Sequence, residues 1–126
     1  MLIIRDEQLR AMQAGFDDEF VGRILPPLRE RHPAEYAALG PERLRALAHA
    51  GLERGGGYGL TSEVNVFRFV ELMLLFGADF DTDPALPWAA AVLGDPELHD
   101  PDERMELLLD EARDELARAS QPRGRR

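Results

Sequence analysis

Ser62-Glu63-Val64-Asn65-Val66-Phe67-Arg68-Phe69-Val70-Glu71-Leu72-Met73-Leu74-Leu75-Phe76-Gly77 is the stretch that decides the fold. Thr61 or Ser62 supplies a hydroxyl that accepts from the free amides of a first helical turn, and Glu63 favours the positive end of the helix dipole. Gly77 is a natural stop. Between these signals the residues are apolar almost all round. Only Asn65, Arg68 and Glu71 interrupt them, and their spacing of three puts them on one narrow stripe. A helix apolar on nearly every side belongs inside a core. Each large side chain in it contributes roughly 1.5–3 kcal/mol when fully buried. A bilayer span needs about 20 mainly apolar residues, and this stretch is shorter and carries Arg68 and Glu71. The expectation is therefore an all-α domain, a compact bundle of four to six helices around a central helix at about 62–76.

Outward from that helix the chain keeps a helical period. Leu9, Met12, Phe16, Phe20, Ile24 and Leu28 recur every three or four residues and predict one face of a helix from about 6 to 32. Pro26 and Pro27 lie inside it, each lacking an N–H and crowding the carbonyl four residues earlier, which predicts a kink or break near Leu25. A short helical turn at 33–39 ends at Gly40. Pro41 and Glu42 then open a helix carrying Leu44, Leu47, Ala48 and Leu52. Gly55-Gly56-Gly57 is expected to end or loosen it, because each glycine costs about 1 kcal/mol against alanine in a helix. Beyond a loop at 78–87, a short helix runs through Trp88 to Leu93, closed by Gly94-Asp95-Pro96. A last helix is expected from about Pro101 to Ala119, with Met105, Leu108, Ala112 and Leu116 inward. Residues 1–119 read as a single helical domain and 120–126 as a disordered basic tail.

Composition narrows the function classes. The 126 residues include no cysteine, which removes disulfides and thiolate metal sites, and no lysine. Net charge is −9. Residues 1–60 hold eight arginines against nine acids, and residues 61–126 seven against fifteen, so nearly all the excess lies in the second half. Such a half repels phosphate backbones and anionic lipid, so neither nucleic acid nor membrane is an expected partner. The opening Met1-Leu2-Ile3-Ile4 is too short for a signal peptide and acids follow it, which points to a cytoplasmic protein.

No catalytic set stands out, and no cofactor is expected. Asp79, Asp81 and Asp83 alternate like the start of a calcium loop, but Pro84 stands where a glycine is needed and Ala90 where a bidentate glutamate belongs. They are the candidate metal ligands. The plainer account has Asp83 capping the next helix, with Asp79 and Asp81 bonded to the loop backbone. The glycine cluster at 55–59 lacks the strand and the lysine of a phosphate loop. His32, His49 and His99 form no zinc-binding spacing. Arg68 and Glu71 read either as an exposed helical pair or as the one face of the core helix that meets a partner. With Trp88, a residue type enriched at interfaces and equally at home in cores, they are the candidate partner-binding residues.

Tyr58-Gly59-Leu60-Thr61-Ser62-Glu63, then Val66, Phe67 and Phe69, then Phe76-Gly77, Asp79-Phe80-Asp81-Thr82-Asp83-Pro84 and Leu86-Pro87-Trp88-Ala89 together form a pattern. It resembles small helical bacterial proteins encoded beside spike and effector genes of contractile, type VI-like secretion systems. The resemblance covers mainly residues 40–95 and carries no catalytic motif. It implies a non-enzymatic accessory, adaptor or chaperone-like factor for a secreted effector. The alternatives are an immunity protein that neutralises a toxin, and a divalent-cation enzyme or sensor built on the three aspartates.

Overall fold

The central helix forms where its end signals place it. In a computed structural model, which describes residues 6–120, it is the fourth of six helices: α1 (Asp6–Arg31), α2 (Pro33–Leu39), α3 (Pro41–Gly57), α4 (Glu63–Phe76), α5 (Pro87–Leu93) and α6 (Pro101–Ser120). The described residues contain no strand, so the protein is all-α. The Ser62 hydroxyl accepts from the Asn65 amide at 3.1 Å. Gly77, at φ 115°, ends α4 by donating its N–H to the Met73 carbonyl, a conformation that glycine adopts without a Cβ penalty.

The all-round apolar character of α4 follows from its position between two cores. Phe69, Leu72 and Met73 pack with Leu60, Phe80, Trp88 and Leu93, and with Met105, Leu108 and Ala112 of α6. Val66, Val70 and Leu74 pack with Phe20, Val21, Ile24 and Leu28 of α1 and with Leu44 and Ala48 of α3. One helix thus supplies a buried face to each cluster. No described helix is long and apolar enough to cross a membrane.

Three local expectations need refinement. First, α1 does not break at the prolines: one helix runs through Pro26 and Pro27. Gly22 and Arg23, whose carbonyls lose their amide partners, are both exposed residues that water can reach. Second, the triplet does end α3, but only after its last glycine: all three are helical, and the C-cap residue Tyr58 donates its N–H to the carbonyls of Gly55 and Gly56. Packing explains this. Gly51 and Gly55 are buried against α4, and a Cβ at Gly51 would lie 2.5 Å from Cγ2 of Val70. The glycines admit a close helix–helix approach that outweighs their poor helix propensity. Gly51→Ala is therefore expected to destabilise by about 1–3 kcal/mol through overpacking. Gly56→Ala, with nothing within 4 Å of its Cβ, should gain up to about 1 kcal/mol from helix propensity. Chemical denaturation of both variants checks the opposite signs.

Third, the apolar stripes extend beyond the core. Met12 (52% exposed), Phe16 (60%) and Leu116 (44%) were expected inward and lie at the surface, since among the described side chains α1 is buried only from Phe20 onward and α6 only as far as Ala112. The Leu9 side chain, the Met1–Ile4 run and the basic tail lie outside the described residues, apart from Ser120, which closes α6.

Candidate functional site

The polar stripe on α4 resolves into three residues with different roles. Asn65 is buried and donates from Nδ2 to Asp102 of α6 at 2.8 Å, tying the first turns of the two helices together. Glu71 is also buried. Its Oε2 accepts from Arg31 Nε at 2.6 Å and lies 2.8 Å from Nε2 of His32, so the end of α1 is fastened to the middle of α4. Arg68 and Glu71 therefore do not form the exposed helical pair that their spacing allows. Arg68, between two bonded neighbours, is half-buried and has no hydrogen bond or ion pair among the described residues.

Three arginines are half-buried among the described residues: Arg54, Arg68 and Arg104. The other two are committed. Arg104 donates to the carbonyls of Tyr58 (2.8 Å), Asp95 (3.2 Å) and Leu98, joining α6 to the end of α3 and to the loop before it. Its role was not legible, because its partners are backbone carbonyls that no residue type announces. Arg54 donates to Asp79 at 3.0 Å and to Asp81. Burial lowers its pKa, but the hydrogen bonds and charges of the two aspartates outweigh that and leave it raised.

The aspartate loop is accordingly held by a protein cation. Asp81 is buried and accepts also from the Tyr58 hydroxyl at 2.7 Å. Asp83 accepts from the Ala85 amide at 2.9 Å, closing a turn within the loop instead of capping α5, whose N-cap is Leu86. The carboxylates of Asp79 and Asp81 go to side chains, not to the loop backbone as the plainer account supposed. Among the described residues no cluster of histidine and acid side chains is arranged to hold a metal ion.

Trp88 is buried. It packs edge-on against Phe76 with centroids 5.5 Å apart, and its Nε1 donates to Glu115 at 3.2 Å. Arg118, then Trp88, hold the Glu115 carboxyl below its usual pKa by hydrogen bonding. Trp88 is a core residue.

What remains is a groove between α4 and α6 with Arg68 at its centre. Towards the start of α6, Arg68 shares a cavity of about 390 Å³ with Ser62, Val64, Asn65, Asp102 and Glu106. In the middle, a smaller one of about 170 Å³ adds Leu109, Asp110 and Arg113. Towards the end of α6, a third of about 290 Å³ has Leu72, Leu75, Leu109, Ala112 and Leu116 as apolar lining. Arg31, His32, Arg68, Glu71 and Arg113 complete that third cavity. The groove is thus acidic at one end and basic at the other. A larger concavity of about 630 Å³ lies between α1 and α2, but it is shallow in chemistry: Arg29 there stacks over Tyr36 and no buried polar group points in.

Across the described residues the fold and groove define a class, a six-helix module with an open amphiphilic cleft and a guanidinium to spare. No protein-family model, curated protein or solved structure matches the chain.

Proposed function

We propose that the protein works by contact, as a non-enzymatic accessory or chaperone-like factor for a secreted bacterial effector, and that the α4–α6 groove is where it meets its partner. The observation that carries this reading is Arg68. A guanidinium drawn halfway into a helix–helix groove gives up hydration, and a partner's acceptor groups restore it. Leu75 (37% exposed) and Leu116 beside it add apolar surface for the same partner to cover. The other most buried described arginines and acids, Arg54, Asp81 and Arg104 outside the groove and Glu71 at its edge, are engaged in holding helices together, which is structural work.

The test is affinity purification of a tagged chain from cells that naturally make it, with mass-spectrometric identification of what accompanies it. The expected result is one specific partner, encoded near a secreted effector or the effector itself, released as salt is raised because surface charge assists the encounter. Recovery of the protein alone at low salt contradicts the reading. Co-expression then separates the roles: a chaperone raises the solubility of its partner, whereas an immunity protein rescues cells from it.

A further inference from the structure

The basic end of the groove deepens that reading and rests on it. Three guanidiniums (Arg31, Arg68 and Arg113) and one carboxylate (Glu71) line this cavity, in a chain whose net charge is −9. The lining of this cavity therefore carries more positive than negative side chains. Glu71 is already bonded to Arg31, and Asp110 to Arg113 at 2.9 Å. Glu106 and Asp110 share the neighbouring cavity with Arg68 without bonding to it. Between these cations the lining is aliphatic, and Leu75 and Leu116 are open to solvent.

We propose that this end of the groove seats a short amphipathic segment of a partner protein, two to three helical turns long, whose apolar face carries carboxylates at its edge. Length sets the size. Leu109 to Leu116 spans about 10 Å of α6 at 1.5 Å per residue, as does Arg68 to Leu75 on α4, so two turns of a guest helix cover the aliphatic surface. Charge sets the chemistry. Glutamate or aspartate on the guest pairs with Arg68, and with Arg113 in place of its exposed neighbour Asp110, whereas a lysine-rich guest meets like charge. Charge also sets the direction, because Asp102 and Glu106 at the other end of the groove repel the acidic part of the guest.

Two synthetic amphipathic peptides of equal length and identical leucine spacing, one flanked by glutamates and one by lysines, test this by fluorescence anisotropy at low salt against the full chain. The glutamate peptide is expected to bind at least about tenfold tighter. Arg68→Glu/Arg113→Glu is expected to invert the preference, and Leu116→Asp to weaken both peptides. None of these residues is in the buried core, and circular dichroism confirms that the variants are folded. Equal binding, or a preference of the unaltered chain for the lysine peptide, overturns the acidic chemistry. If that binding is still lost in Leu116→Asp, the groove remains a docking site and only the guest's charge is wrong. Absence of binding by either peptide overturns the inference, while the co-purification experiment separately decides the wider reading.

Discussion

Phe69→Ala is expected to destabilise the protein by about 3–5 kcal/mol, the range for removing a fully buried aromatic ring. Phe69 is wholly inaccessible and lies between Tyr58 and Phe80, with ring centroids 6.0 Å and 5.1 Å away. Its loss leaves a hole where α4 meets both the end of α3 and the loop after α4. Domains of this kind have about 5–15 kcal/mol of stability, so the variant should unfold at a much lower urea concentration. The slope of the transition should be unchanged, because the surface exposed on unfolding is nearly the same. Val64→Ala on the same helix, at a site 58% exposed, should stay within about 0.5 kcal/mol. Similar losses at both positions would mean that α4 is not enclosed.

Asp81→Ala should cost about 2–4 kcal/mol. It removes a buried acceptor from two donors at once, and such breaks are expensive because the partners remain. The cost stays below the worst cases because the Arg54 side chain keeps 28% of its surface in water. The same pair predicts a pH response. Burial, then the hydrogen bond to Asp81 and its charge, push the Tyr58 pKa up to about 12 from 10.0. The folded state therefore holds the phenolic proton more tightly than the unfolded chain does. Its contribution is complete below pH 10 and is lost as pH rises through 12. Denaturation midpoints measured from pH 8 to 12 should fall across the upper part of that range. In Asp81→Asn the fall should be shallower, since burial alone then raises the pKa. An identical fall in both proteins would remove Asp81 from the account.

The central helix was legible because its signals are local: a hydroxyl before it, a glycine after it and, between them, an apolar run broken only by Asn65, Arg68 and Glu71. The glycine triplet marked the end of α3, but propensity, which speaks only for an isolated helix, could not place all three glycines inside it. The burial of Gly55 beside Leu60 and Phe69, and the close approach of Gly51 to Val70 of α4, belong to the tertiary structure. Pro26 and Pro27 were harder to place for a similar reason, since the exposed surroundings of Gly22 and Arg23 could not be read from the chain. The site was half legible. Asn65, Arg68 and Glu71 stood out as polar residues on an apolar helix, but which were bonded depended on Arg31, His32 and Asp102, some 40 residues distant. Trp88 gave no sign of its direction, because a tryptophan after a loop suits core and interface alike.

Photo-crosslinking tests the docking reading most directly. A benzoylphenylalanine placed at Leu116, on the rim of the groove, is expected to form an adduct with the co-purified partner. The same probe at the exposed Glu42, at the start of α3, is expected to form none, and Arg68→Glu should abolish the adduct at 116. An adduct at position 42 with none at 116 would place the partner elsewhere and contradict the groove as the working surface.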